Sequence, residues 1–208
     1  MINLVVVDLY HGDRVESFTA AAESGIRGII HKASQGADIV DPLYAERRSA
    51  ALAAGLLWGA YHFGTGAEVD AQVANFLKAA QPDSGTFVAL DYEPNGPDTM
   101  TLPQARSFLA GVAAQLGRRP VLYSGSLIKE QLGETEDAFF GAHRLWLPEY
   151  GPVPRPQRSW GSPWLWQYSG DGIGPDPKRV PGIPGASGTV DCNSYDGTPD
   201  RLAAEWAS

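Results

Sequence analysis

Cysteines and long apolar runs are scarce in this chain of 208 residues. A single cysteine, Cys192, excludes an intrachain disulfide and a zinc site built on several cysteines. No stretch approaches the roughly 18 consecutive apolar residues of a membrane-spanning helix. Residues 1–8 lack the basic segment and the long apolar run of a signal peptide, so we expect synthesis in the cytoplasm without a cleaved leader.

Positive charge is also scarce. The chain has 16 lysines and arginines against 24 aspartates and glutamates, which gives a net charge of −8 and a pI near 4.9. A surface of this sign repels phosphate backbones and anionic headgroups, so we expect neither nucleic acid nor a membrane as a partner. The length, and an apolar content of 43%, are typical of one globular domain, and we expect residues 1–208 to form one.

Strand and helix patterns alternate five times along the first two thirds of the chain. Short apolar segments alternate with segments of helical periodicity, which is the pattern of parallel βαβ units. Thr101 is placed to cap the fourth helix. The predicted strands are 2–8, 27–33, 56–63, 87–93 and 120–124. The predicted helices are 14–24, 42–55, 67–80, 101–117 and, more weakly, 126–140.

The pattern changes in the last third. Three further strands, at 144–147, 164–168 and 188–192, are joined by loops rich in glycine and proline, and 197–206 is predicted as a closing helix. Segment 170–188 is long for a loop, which is typical of functional loops or hairpin connections. Five β/α units followed by three strands predict an α/β fold, a modified TIM-like barrel with an incomplete ring of helices. In such barrels the chemistry lies at the C-terminal ends of the strands.

Acidic residues stand at these strand ends. Asp91 and Glu93 share one face of the fourth predicted strand because side chains alternate, and their Cα atoms should lie roughly 6.5–7 Å apart. Burying two neighbouring acids raises the pKa of one of them, as general acid–base chemistry requires. Alternatively, both acids simply reach solvent at the strand end. Asp8 ends the first strand and Asp191 the last, so we expect four acids at one mouth of the barrel.

Short motifs along the chain resemble the family 25 glycoside hydrolases, the lysozymes also called N-acetylmuramidases. The matching segments, in the family's order, are Asp8, 30–36, 41–48, 54–56, 58–63, 91–93, 166–168 and 190–193. The resemblance implies a barrel of five β/α units plus three strands. It also implies hydrolysis of the β-1,4 bond between N-acetylmuramic acid and N-acetylglucosamine in peptidoglycan, for which we expect no cofactor or metal.

The same resemblance implies roles for individual residues. Glu93 matches the general acid, Asp91 its partner carboxylate, and Asp8 and Asp191 the two remaining acids of the cleft. The residues expected to contact substrate are Tyr61, Tyr123, Trp166, Gln167, Asn193 and Lys32. One segment departs from the family: after Asp8 many members carry a serine-rich stretch leading to Gln-Gly, whereas residues 9–13 are shorter and contain a histidine. Substrate contacts near Asp8 therefore stay open.

The histidines and the cysteine have mostly structural interpretations. His31 and His62 lie in apolar strands and are expected to be core residues with satisfied hydrogen bonds. His11 lies in a turn and could touch substrate. Cys192 follows a cleft-facing acid on its strand, so we predict a buried thiol that faces away from the cleft.

Two other classes of function remain open. The four acids could bind Mg²⁺ for phosphoryl transfer, because hard oxygen ligands suit that ion. The chain could also be a non-catalytic glycan-binding barrel, although the presence of both Asp91 and Glu93 argues against it. For the hydrolase we expect a monomer that acts on a peptidoglycan glycan strand. It would reach the bacterial cell wall through a holin, a secretion system or lysis.

Overall fold

The computed structural model describes residues 2–208, and eight of its strands close into a barrel. The strands are β1 (Leu4–Leu9), β2 (Gly28–Gln35), β3 (Ile39–Val40), β4 (Leu57–Phe63), β5 (Phe87–Asp91), β6 (Val121–Tyr123), β7 (Leu145–Pro148), β8 (Leu165–Ser169) and β9 (Asp191–Ser194). The helices are α1 (Phe18–Glu23), α2 (Tyr44–Ala53), α3 (Val69–Ala80), α4 (Leu102–Leu116), α5 (Ser126–Leu132), α6 (Ala138–Gly141) and α7 (Pro199–Glu205).

The order of elements confirms the predicted architecture. Strands β1, β2, β4, β5, β6, β7 and β8 pair in parallel around the barrel, and β9 closes it between β8 and β1. A helical segment follows each of the first five barrel strands, and none separates β7 from β8 or β8 from β9. The ring of helices is therefore incomplete on one side, as predicted.

The direction of β9 differs from the prediction. Asp191 was expected to end the last strand, but it begins β9, which is antiparallel to both of its neighbours. An antiparallel strand presents its first residue at the edge where parallel strands present their last. The register pairs Asp8 with Asp191, so the two acids still meet at the same mouth.

Strand β2 extends beyond β1 at that mouth. Its pairing with β1 ends at His31, whereas its pairing with β4 continues to Gln35. The unpaired edge of this overhang is taken by β3, which pairs antiparallel with β2. The side-chain amide of Asn75 donates to the carbonyls of Gly36 and Ile39 and so holds the connection between the two strands.

Local sequence signals fix the ends of α4. Thr101 accepts a hydrogen bond from the backbone N–H of Gln104, whose side chain in turn accepts one from Thr101 N–H. Pro103 stands in the first turn, where a backbone N–H would have no helical acceptor, so proline costs no hydrogen bond there. Gly117 ends the helix at φ 67°, a left-handed conformation that favours glycine. The predicted cap is therefore confirmed.

The two strand histidines are structural, as expected. His31 Nδ1 lies 2.8 Å from the carbonyl of Lys32 and its Nε2 lies 3.0 Å from an Arg47 nitrogen, so the proton is on Nδ1. His62 is bonded through its two ring nitrogens to Ser34 and Gln72. Both histidines are fully buried, and burial lowers the pKa of each to about 4. They are neutral parts of the core.

The barrel interior is closed at the end opposite the acids by α7. Trp206 is buried against Phe87, and its indole N–H donates to the carbonyl of Trp58 at 2.8 Å. The ring fits because Gly28 has no side chain: a Cβ there would lie 2.6 Å from the Trp206 ring. Among residues 2–208, no helix is long and apolar enough to cross a membrane.

This contact gives a test of the packing. We expect Gly28→Ala to cost about 1–3 kcal/mol of unfolding free energy, because the added methyl group overpacks a closed barrel end. In a Trp206→Phe background the same substitution should cost less, because the clashing part of the indole is gone. Denaturant unfolding of the two single variants and the double variant measures this coupling.

The matched control is Gly161→Ala. A Cβ at Gly161 meets nothing within 4 Å, so this variant should unfold like the parent. An identical cost of Gly28→Ala with and without the indole would contradict the packing argument.

Candidate active site

The four acids named from the sequence converge at the mouth of the barrel. They line a cavity of about 220 Å³. The residues around it are Asp8, Lys32, Tyr61, Phe63, Asp91, Glu93, Tyr123, Trp146 and Asp191. The structure thus brings together all four predicted catalytic acids and three of the six predicted substrate contacts.

Alternation along the strands explains why these acids face inward. On β5, Phe87 and Ala89 belong to the apolar cluster inside the barrel, and Asp91 follows on the same face. Tyr92, like Val88 and Leu90, belongs to the apolar cluster between the barrel and its helices, which we call the outer cluster, and it is fully buried. The strand ends at Asp91, so Glu93 lies just beyond it rather than within it as predicted. The carboxyl pair therefore lies at the end of an apolar barrel interior.

Asp91 and Glu93 both line the cavity, and each carboxyl shifts the pKa of the other. Asp91 is buried, and burial together with the charge of Glu93 raises its pKa well above the usual range. Burial also raises the pKa of Glu93, an effect that the neighbouring Asp91 carboxyl partly opposes. The pair therefore resists ionisation of both carboxyls. The Oδ1 atom of Asp91 has no hydrogen-bond partner within the protein.

Lys32 supplies a positive charge beside this pair. Burial lowers the pKa of Lys32, whereas the charge of Asp91 raises it. Conversely, the charge of Lys32 lowers the pKa of Asp91. The Lys32 ammonium donates to Gln35 Oε1 at 2.5 Å and lies 5.0 Å from the centre of the Phe63 ring. These contacts hold the cation at the cavity, where it favours the ionised form of Asp91.

Asp8 is held by amide groups from the two strands that close the barrel. Gln167 Nε2 donates to both carboxylate oxygens of Asp8, at 3.0 and 2.9 Å, and Asn193 Nδ2 donates to one of them at 2.7 Å. Burial and the charge of Asp191 raise the pKa of Asp8 well above its usual range, whereas the two amides lower it. Asp8 is thus oriented by neutral donors.

The two amides are themselves oriented by aromatic side chains. The oxygen of Gln167 accepts hydrogen bonds from the hydroxyls of Tyr123 and Tyr150, at 2.9 and 3.2 Å. The oxygen of Asn193 accepts one from the indole of Trp146 at 2.6 Å. Both amides are fully buried, and neither lines the cavity. Gln167 and Asn193 therefore orient Asp8 and lie outside the lining of the cavity.

Trp166 is also placed differently from the prediction. Its neighbour Leu165 belongs to the cluster inside the barrel, so Trp166 faces outward and packs against Tyr168. Its indole N–H donates to the carbonyl of Glu149, and it is 8% exposed. An outward-facing side chain on β8 does not reach the acids. The tryptophan at the cavity is Trp146, which the sequence did not single out.

Asp191 is linked to a residue that the sequence did not single out. The backbone N–H of Asp171 donates to Asp191 Oδ1 at 3.2 Å. Burial raises the pKa of Asp191 to about 7, and the charge of Asp171 adds to that shift. The same charge raises the pKa of Glu93. Asp171 lies in the Gly/Pro-rich loop between β8 and β9, and the length of that loop was its only signal in the sequence.

The remaining predicted contacts lie as follows. Tyr61 and Tyr123 reach the cavity from β4 and β6, and burial raises the pKa of both hydroxyls. His11 lies outside the cavity, with Nδ1 3.0 Å from Asp41. Cys192 is fully buried in the outer cluster, as predicted. Within residues 2–208, no group of three or more His, Cys, Asp and Glu side chains has the arrangement of a metal site.

The raised pKa of Asp191 predicts a dependence of stability on pH. An unfolded aspartate has a pKa of about 3.9, so folding holds a proton on Asp191 between that pH and about 7, and stability falls as pH rises through this range. Asp191→Asn removes the cost of burying the charge. After allowance for partial exposure, we expect about 2 kcal/mol of added stability at pH 8, or roughly 4–8 °C in Tm.

Thermal unfolding at two pH values measures this effect. At pH 4 Asp191→Asn should melt like the parent, because both side chains are then largely neutral. The exposed Asp196→Asn serves as a control with the same chemical change and should match the parent at both pH values. A lower Tm for Asp191→Asn at pH 8 would contradict the assignment.

Comparison with known proteins gives the same family as the motifs. The model of glycosyl hydrolases family 25 matches residues 7–176. The bacterial lysozyme from Streptomyces coelicolor superimposes with a TM-score of 0.83 at 25% identity, covering 97% of this chain and 95% of that one. Muramidase from Trichobolus zukalii superimposes with a TM-score of 0.80 at 25% identity, covering 97% of each chain.

A curated relative has a similar sequence but no described function. It is the uncharacterized protein YegX of Escherichia coli O157:H7, which is 31% identical over 178 residues, or 83% of this chain. The match spans 60% of the length of YegX. The family match covers most of the present chain and includes Asp8, Asp91 and Glu93. The chain belongs to glycosyl hydrolases family 25.

Proposed function

We propose that this chain cleaves the β-1,4 bond between N-acetylmuramic acid and N-acetylglucosamine in peptidoglycan, with net retention at the anomeric carbon. The observation that carries the proposal is the Asp91–Glu93 pair, whose carboxyls line one cavity at the mouth of the barrel and have raised pKa values. Family membership and the similarity to proteins described as a lysozyme and a muramidase support the choice of substrate. By the same reasoning, the site of action is the bacterial cell wall.

Glu93 is the general acid of the proposed reaction. Its pKa is raised by burial, which keeps a proton available for the leaving oxygen near neutral pH. Asp91 lines the cavity, and its carboxylate would accept a hydrogen bond from the acetamido N–H of a bound sugar. That contact, together with the charge of Lys32, favours ionised Asp91 and leaves the proton on Glu93.

The spacing of the two carboxyls favours retention. Inverting glycosidases hold their carboxyls about 6.5–9.5 Å apart so that a water fits between sugar and base, whereas retaining enzymes hold them about 5–5.5 Å apart. Asp91 and Glu93 are two positions apart at the end of one strand, which brings their carboxyls close and leaves little room for such a water. Both also project from the end of one strand, which is a poor position for a nucleophile that attacks opposite the leaving group. The acetamido oxygen of the substrate can attack instead, and Asp91 orients it.

The other acids act through charge. Asp8 and Asp191 line the cavity, and Asp171 contacts Asp191 through its backbone. Positive charge develops on the sugar ring in a transition state of this kind. Carboxylates held in a partly buried site stabilise that charge more strongly than they would in water. They also oppose loss of the proton from Glu93.

The first test separates the roles of the pair. Glu93→Gln should lower hydrolysis of purified cell walls at least about 10³-fold, because the amide cannot protonate the leaving group. It should still bind glycan. Asp91→Asn should cost somewhat less. Turbidity loss and newly formed reducing ends measure the rate, and Asp196→Asn is the matched surface control.

A Glu93→Gln variant that still hydrolyses walls at near the parental rate would contradict the proposed acid. A parent protein that binds walls without cleaving them would instead identify a glycan-binding barrel.

The second test concerns stereochemistry. NMR should show the retained anomer of the muramic acid reducing end as the first product. A thiazoline analogue of the substrate should inhibit, because it resembles the product of acetamido attack. A covalent glycosyl ester on Asp91, or the inverted anomer, would disprove acetamido participation. New reducing ends on N-acetylglucosamine would disprove the assigned bond.

A further inference from the structure

The segment after β1 lines a recess that continues the acid cavity. Tyr10, together with the loop before β9, surrounds a space of about 80 Å³. Asp8, Tyr61 and Asp191 line both this recess and the acid cavity, so the two are contiguous. Tyr10 therefore lies beside the cavity that Glu93 lines.

Tyr10 is an exposed aromatic ring held in one position. It is 40% exposed. One side of the ring lies directly against Gly12: a Cβ at Gly12 would lie 2.3 Å from the Tyr10 Cζ atom. The imidazole of His11 meets the ring edge-to-face, with centres 5.2 Å apart. The ring is thus supported from below and from the side, while its remaining surface is open to solvent.

Buried side chains fix the backbone that carries this ring. Arg47, which is 9% exposed, donates to the carbonyl of Tyr10 at 2.8 Å and to that of Asp13 at 2.5 Å. Asp41, which is 5% exposed, accepts from the backbone N–H of His11 at 2.9 Å and contacts its ring nitrogen at 3.0 Å. Two buried charged side chains therefore hold an exposed turn. Such rigidity lowers the entropy lost when a ligand stacks on the ring.

The charge of the recess selects the kind of ligand. Asp8, Asp13, Asp171 and Asp191 all line it. In their ionised forms these groups repel an anionic substituent such as a lactyl or peptide carboxylate. They accept hydrogen bonds from sugar hydroxyls and from an amide N–H. A neutral pyranose ring, whose apolar face packs on an aromatic side chain, fits both the ring and the carboxylates.

We propose that Tyr10, supported by Gly12 and His11, is a stacking subsite for an uncharged N-acetylglucosamine ring of the glycan strand. The inference rests on the proposed function and deepens it. Tyr10 selects how the strand is held and does not take part in bond cleavage. The residues that form this subsite lie in the segment 9–13, where the chain departs from the family's pattern.

Binding measured without turnover tests the subsite. The Glu93→Gln variant serves as the parent. Calorimetric titration with peptide-free peptidoglycan oligosaccharides of two, four and six sugars gives the affinities. Adding Tyr10→Ala should weaken binding of the longer oligosaccharides about tenfold or more, with a smaller effect on the disaccharide. Tyr10→Phe keeps the ring and should stay within about threefold of the parent.

Two further variants keep the test decisive. Gly12→Ala should weaken long oligosaccharides as Tyr10→Ala does, because the added methyl group displaces the ring without removing it. Leu52→Ala, at an exposed apolar position on the outer side of α2, is the control and should bind like the parent. Circular dichroism checks that each variant is folded.

The outcomes separate the two proposals. If the parent binds the six-sugar strand and both Tyr10→Ala and Gly12→Ala bind it equally well, the stacking subsite is disproved while the proposed function stands. If the parent binds no oligosaccharide and the active enzyme releases no muramic acid ends, the proposed function fails and the subsite fails with it.

Discussion

Asp8 accepts hydrogen bonds from Gln167 and Asn193, and these bonds link the three strands at which the barrel closes. Asp8 is on β1, Gln167 on β8 and Asn193 on β9, and β9 is the strand that closes the barrel in the reverse direction. A buried carboxylate without these donors would cost several kcal/mol of desolvation. With them, it ties three strands together and still faces the cavity. The same hydrogen bonds therefore join the strands that close the barrel and place an acid at the cavity.

The acids at this mouth lie in an environment that disfavours their ionised forms. The pKa values of Asp8, Asp91, Glu93 and Asp191 are all raised, chiefly by burial. Raised values mean that the folded chain resists ionisation of these groups, so they reduce its stability as pH rises above their unfolded pKa values. A site that keeps a carboxylic acid protonated near neutral pH requires such an environment. The cost is local, because the opposite end of the barrel is apolar and closed by Trp206.

The sequence predicts the strands and the acids well because both follow from periodicity. Alternation on β5 places Asp91 inside, and apolar runs separated by helical segments predict five β/α units. Periodicity does not give absolute phase: on β8 it separates Trp166 from Gln167 but does not say which one faces inward, and the interior position of Leu165 decides it. It also does not give the direction of β9, which depends on a long loop without helical pattern.

Residues placed by loops were beyond such reasoning. Asp171 approaches Asp191 only because the chain after β8 turns back at the mouth, where Asp171 adopts a left-handed backbone with φ 51°. Tyr150 likewise reaches Gln167 from the loop after β7. Neither contact has a spacing or a periodicity that the sequence exposes. The acids of the strands could be named in advance, whereas Asp171 and Tyr150, which are placed by loops, could not.

The helices outside the barrel cover its strands and also hold two segments at its mouth. These are the turn after β1 and the connection between β2 and β3. Arg47 of α2 donates to the carbonyls of Tyr10 and Asp13, and Asn75 of α3 donates to the carbonyls of Gly36 and Ile39. All four acceptors are backbone atoms. The two helices therefore fix the path of each segment through its backbone atoms. In this way the segment after Asp8 is held beside the acids by a helix outside the barrel.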